Sequence, residues 1–222
     1  MQNQRPQVKH IDIRHIIDYA ICPAKSLISQ HIEERPAREQ VKERMYMGIN
    51  DLTIRHLECN TFRNADIERV LPLVFDGLNY PGIEKDREAV ARSYRNFSHL
   101  LSEYEYTLTG SVIPVDVAYY GVIVKGAISC TVRDGKRGYV YPVIVDLSNT
   151  KYEPFYNPIA YQCQLASDFL QAEGTNTDVV VLSIASGKRW VYDKRKYGDI
   201  IHAALNKLVE GMERDLYPVR FG

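Results

Sequence analysis

Apolar positions recur along this chain with two different periods, and the change from one to the other falls near residue 105. Before it the period is helical. Ile13, Ile16, Ile17, Ala20 and Ile21 share one face of a helix that Pro23 interrupts, and Val41, Met45, Ile49, Leu52 and His56 line one face of a longer helix after Pro36. That spacing turns His56 inward. A third helix is expected over Asn64 to Leu78, punctuated by Pro72, and Asn79-Tyr80-Pro81-Gly82 signals a turn. Val90, Tyr94, Phe97, Leu101 and Tyr104 form the stripe of a fourth helix, whose acidic start from Glu84 to Asp86 suits the positive end of a helix dipole.

Beyond residue 105 the composition shifts to Val, Ile, Thr and Tyr, which predicts strands over Tyr106 to Ile113, Val115 to Val124, Ala127 to Arg133 and Tyr139 to Leu147. Asp134-Gly135-Lys136 supplies a hairpin turn. A helix from Asn157 to Gln171, an apolar strand from Val179 to Ile184, a turn at Ser186-Gly187, a strand through Trp190 and Tyr192, and a last helix over Asp199 to Met212 follow. An antiparallel group that gains a parallel neighbour by a helical crossover makes a mixed α/β sandwich. With 222 residues, 45% of them hydrophobic, the chain suits one domain, residues 1–82 being its mainly helical portion and Met1 to Lys9 a mobile terminus.

Charge narrows the partners. Twenty-eight basic and twenty-eight acidic residues cancel, so no general field attracts nucleic acid or an anionic membrane, and any such contact must be local. Lys136 and Arg137 on the hairpin, and Lys188, Arg189, Lys194, Arg195 and Lys196 around the late strand, are placed for phosphate contact, with Tyr139, Trp190 and Tyr192 as candidate stacking residues. Cys22, Cys59, Cys130 and Cys163 are too dispersed for a structural zinc site and are expected to be reduced, packed thiols. No leader and no membrane-length apolar run is present, so a cytoplasmic protein without a membrane partner is expected. Gly121, Gly126, Gly135 and Gly138 do not form a phosphate loop, and no nucleophile elbow supports a serine hydrolase.

The candidate chemistry lies in Tyr141-Pro142-Val143-Ile144-Val145-Asp146-Leu147-Ser148, an apolar strand with Asp146 and Ser148 on one face. Metal-dependent phosphodiester hydrolysis needs carboxylates that hold Mg²⁺ or Mn²⁺, usually with a lysine that orients the attacking water. A lysine at position 148 would complete Asp-x-Lys.

The strand is one of several segments that together resemble the PD-(D/E)XK nuclease superfamily, in particular its RecB-like branch. Tyr19-Ala20-Ile21-Cys22-Pro23-Ala24-Lys25 is similar to its early marker, Gly48 with His56-Leu57-Glu58 to its histidine-bearing helix, and Glu103 or Glu105 to its acidic residue before the central strands. Lys125-Gly126-Ala127-Ile128-Ser129 resembles its glycine-x-x-aspartate strand with serine for the aspartate. Tyr161-Gln162-Cys163-Gln164-Leu165-Ala166 resembles its glutamine-bearing helix, with Asp168 where a tyrosine is common.

The resemblance implies a restriction-endonuclease-like mixed central sheet flanked by helices. It also implies a catalytic set of Asp146, Glu105 and His56, with His56 and Asp146 holding Mg²⁺ or Mn²⁺ if the site is active. Ser129 and Ser148 in the Asp and Lys positions imply a degenerate site, hence an inactive nucleic-acid-binding or assembly subunit of a DNA- or RNA-processing machine contacting its ligand through Lys136, Arg137, Lys151, Gln164, Lys188 and Arg189. The alternatives are an active metal-dependent DNA nuclease with a rearranged site, its missing cation supplied by Lys151 or Lys125, and a protein–protein interaction module. Some family members bind an iron–sulfur cluster through an early cysteine and a late group. Cys22 has no such late partners before Gly222, so no cluster is expected.

Overall fold

Two sheets are joined where the chain passes from one strand into the next at Ser129. The computed structural model describes residues 9–22, 37–59, 63–147 and 158–216, so the expected mobile terminus up to residue 8 and the expected helix start at Asn157 lie outside the described residues. The helices are α1 (Ile13–Ile21), α2 (Ala37–Cys59), α3 (Asn64–Phe75), α4 (Ile83–Glu103), α5 (Ile159–Ala172) and α6 (Lys194–Leu216). The strands are β1 (His10–Asp12), β2 (Tyr106–Gly110), β3 (Ile113–Tyr119), β4 (Val122–Ile128), β5 (Cys130–Asp134), β6 (Val140–Asp146), β7 (Val179–Ser183) and β8 (Lys188–Tyr192).

The five-stranded sheet runs β2-β5-β6-β7-β8, antiparallel throughout except for the parallel pair β6 and β7. Helix α5 makes the crossover, as the strand–helix–strand order predicts. One face carries Val143, Val145, Val180 and Leu182 against α2, α3 and α4; the other carries Ile144, Val179 and Val181 against α1, α5 and α6. Period-two alternation in β6 and β7 therefore serves two cores at once, which is why both strands read as unbroken apolar runs. Each fully buried Val or Ile there contributes about 1.5–3 kcal/mol.

The smaller sheet, β1-β4-β3, was only partly legible. Val115 to Val124 is not one strand: Tyr120 and Gly121, at φ 48° and 75°, form a two-residue hairpin turn between β3 and β4, with Tyr119 paired to Val122. Positive φ at both central positions fits the right-handed twist of the flanking strands. Similarly, the expected strand from Ala127 to Arg133 breaks at Ser129, where the chain leaves the small sheet as β4 and enters the large one as β5. The three residues of β1 pair in parallel with β4, from His10 opposite Ile123 to Asp12 opposite Lys125, and are too few to show a period.

Local signals set two of the helix starts. Asp12 caps α1 by accepting from the Arg14 amide at 2.8 Å, and Asp193 caps α6 by accepting from the Arg195 and Lys196 amides at 3.0 and 3.2 Å. That second cap starts α6 at Lys194 rather than near Asp199. Among the described residues, no helix is long and apolar enough to cross a membrane.

Candidate functional site

Ser129 stands between β4 and β5, beside the last residues of β6, which ends at Asp146. The Ser129 amide donates to the Val143 carbonyl at 2.8 Å, and its hydroxyl oxygen accepts from the Val145 amide at 3.0 Å. A side chain thus stands in for a missing ladder acceptor at the corner between the two sheets. The next residue, Asp146, is 5% exposed and pairs in register with Ser183, and its carbonyl accepts from the Ile184 amide at 3.0 Å. Ser148 and Lys151 lie outside the described residues.

Around this strand end stand groups from three further elements. Tyr46 on α2 leaves 37% of its surface exposed, yet the protein around its hydroxyl, then the Asp146 charge, push the phenol up to about 12; burial and the same charge push the Cys163 thiol on α5 upward. Tyr46 also feels Arg14, whose guanidinium reaches Asp12 at 2.9 and 3.0 Å and Glu43 at 3.4 Å. Burial opposes ionisation of Asp12, but its hydrogen bonds to Arg14 hold its pKa below the usual carboxylate range. Cys130 is fully buried and is pushed up to about 12, so neither core thiol is a ready thiolate.

The expected catalytic set does not converge. Glu105 follows α4 in a left-handed conformation, φ 53°, and its carbonyl accepts from Gly135 at the hairpin, beside the first residue of β6. Asp146 is the last residue of β6, so the strand's own length, about 20 Å at ~3.3 Å per residue, separates the two carboxylates along the sheet. Glu105 instead pairs with Lys136 at 3.4 Å. His56 is half-buried near the end of α2 and held below its usual pKa by burial. His56, Glu105 and Asp146 therefore do not fit a shared divalent cation, and among the described residues no group of three or more His, Cys, Asp or Glu side chains is placed to hold a metal ion.

Gln164 belongs to a different network, one that sequence spacing hints at through Gln164 and Asp168 at i and i+4. It is 1% exposed, donates to Asp168 at 2.7 Å and accepts from the Tyr192 hydroxyl at 2.5 Å, so both ends of its amide are used inside and it is not a surface contact. Asp168 also accepts from the Tyr119 hydroxyl at 2.7 Å and Lys194 at 3.0 Å, and lies 2.9 Å from His202 Nδ1. Burial raises its pKa, yet the hydrogen bonds from Gln164, His202, Tyr119 and Lys194 outweigh that and lower it. The network ties β3, α5, β8 and α6 together, and nothing in the sequence joins Tyr119, Lys194 and His202 to it.

The expected cationic residues divide. Lys136 and Arg137 are exposed on the hairpin, where the Asp134 carboxylate accepts from both their amides at 2.8 and 3.1 Å. Lys188 is exposed with its ammonium 5.9 Å from the Trp190 ring centroid. Arg189 is half-buried: it donates to the Tyr106 hydroxyl at 2.6 Å and lies over the Tyr104 and Tyr106 rings at 4.9 and 5.6 Å. Lys194 is committed to Asp168 and Gln171, whereas Arg195 and Lys196 are exposed. Tyr192 is core, and Tyr139 is 62% exposed.

Neither a scan of protein-family models nor a search of curated proteins returns a match to this chain.

Proposed function

We propose that this chain is a nuclease-like domain of the PD-(D/E)XK type that has lost catalysis and serves as a nucleic-acid-binding or assembly subunit of a DNA- or RNA-processing machine. The mixed five-stranded sheet, with its antiparallel group, helical crossover and parallel neighbour between two helical layers, supports the fold assignment. The observation that carries the loss of catalysis is the use made of the two central positions. Ser129, in place of a metal-binding aspartate, spends its oxygen on the Val145 amide, and Asp146 is left as the one retained acid at a strand end far from Glu105. A hard divalent cation wants several oxygen ligands converging on one point, and these residues do not supply them.

The test is a Mn²⁺-dependent cleavage assay on single- and double-stranded DNA and RNA, with Asp146→Ala as the paired control. The expected outcome is no cleavage that differs between the two proteins. Cleavage by the wild-type chain that Asp146→Ala abolishes would overturn the proposal in favour of a rearranged metal site. Salt-sensitive binding without cleavage supports the nucleic-acid subunit, and no binding at low salt would leave a protein–protein module as the remaining role.

A further inference from the structure

Four tyrosines line one end of the large sheet in an unbroken row. Tyr104 is the C-cap of α4, Tyr106 begins β2, Tyr141 lies in β6, and Tyr139 precedes it by two residues. Their ring centroids are 5.9 Å apart for Tyr104 and Tyr106, stacked at 29°, then 6.5 Å for Tyr106 and Tyr141, and 6.4 Å for Tyr141 and Tyr139, edge on at 77°. Arg189 reaches the inner end of the row, over both stacked rings, and fixes Tyr106 through its hydroxyl. At the outer end stands the hairpin that carries Lys136 and Arg137.

Exposure changes along this row. Tyr106 is 7% exposed and anchors the row in the core, Tyr104 and Tyr141 are half-buried, and Tyr139 is 62% exposed. Packing accounts for the inner rings. It does not account for a tyrosine that leaves most of its surface in water, next to a hairpin whose Arg137 side chain also faces solvent. Rings already ordered by their neighbours lose little freedom when something stacks on them, which favours binding.

We propose that this row, from Tyr104 to Tyr139 with Arg189 and the Lys136-Arg137 hairpin, is a stacking platform for single-stranded nucleic acid. The proposal rests on the nucleic-acid role given above and names the surface and the form of ligand. An exposed aromatic face pairs with the π-face of an unstacked base whatever its identity, while the exposed Arg137 guanidinium neutralises the backbone and Lys136, shared with Glu105, adds less. A duplex hides those faces within its stack, so a single strand is the ligand that matches. Tyr139 and the hairpin lie at the opposite end of β6 from Asp146, whereas Arg189, which pairs with Leu182 and through it with Val145, reaches the row from the strand register nearer Asp146.

Fluorescence anisotropy of labelled oligothymidylate, oligouridylate and duplex DNA with the full chain tests this. Tyr139→Ala is expected to weaken single-strand binding by about tenfold, Tyr139→Phe to restore it, and Arg137→Ala to reduce the slope of log K against log salt by about 0.7. Arg92→Ala, on the exposed outer face of α4, should bind as wild type does. Because Tyr139 is mostly exposed, these variants keep the core intact. Equal binding by wild type and Tyr139→Ala overturns the platform and leaves the nucleic-acid role standing, as does preference for the duplex. No binding of any nucleic acid by the wild-type chain at low salt overturns both.

Discussion

Ser129 holds a position that the sequence marks for chemistry and that the structure uses for architecture. Its hydroxyl is the acceptor for a Val145 amide whose residue is 0% exposed, so Ser129→Ala strands a buried donor. The expected loss is about 1–3 kcal/mol, read as a lower urea midpoint at unchanged m-value; an unchanged midpoint would refute the corner role. Asp168 shows a second kind of residue effect. Its folded-state pKa lies below the ordinary ~3.9, so its stabilisation is fully present above that value and is lost as pH falls through the lower folded value. Urea midpoints measured from about pH 6 to about pH 3 should fall less steeply in Asp168→Asn than in wild type. Neither role was legible beforehand: Ser129 was visible only as a missing aspartate, and three of the four donors to Asp168 sit far from it in sequence.

Among the elements, the regular ones were legible and the joints were not. The α2 stripe of Val41, Met45, Ile49 and Leu52 and the apolar run of β6 announce themselves because each buries a continuous surface. The turn at Tyr120-Gly121 does not, since a tyrosine in the left-handed region contradicts local preference and is held there by the pairing on either side. Tyr120→Asn, which suits that conformation, should stabilise the hairpin by about 1 kcal/mol and raise Tm by about 2–4 °C in a chain of this size. Calorimetry showing a lower Tm would place the turn's energetics elsewhere. Gly48 makes the opposite case within α2. A methyl group there would strike the Tyr94 hydroxyl and come within 2.8 Å of Val70 Cγ1, and Tyr94 is 0% exposed and cannot withdraw. Overpacking of about 1–3 kcal/mol therefore outweighs the ~1 kcal/mol that alanine gains in a helix, and Gly48→Ala should lower the urea midpoint.

At the scale of the molecule, the two cores lie on opposite faces of one sheet, and the same residues of β6 and β7 alternate between them. Neither core can dissolve without exposing the other's wall, so the described core should melt as a unit. Fluorescence of the single tryptophan, Trp190, and far-UV circular dichroism should give coincident urea transitions, and separated midpoints would mean the halves unfold independently. The layered α/β architecture was legible because element order dictates it, while the separation of Glu105 from Asp146 was not, because resemblance fixes positions in sequence and only the strand register fixes distance. The contact between α1 and α6 has a further consequence for biosynthesis. Tyr19 hydrogen-bonds to Asp215 across 196 residues, and Ile13 and Ile16 share a core with Val209 and Met212. At ~5–20 residues per second, a ribosome exposes the first of these helices for roughly 10–40 seconds before its partner emerges. Helix α1 is thus made well before α6, and through that interval the isoleucine surface that α6 covers is one that a chaperone can hold.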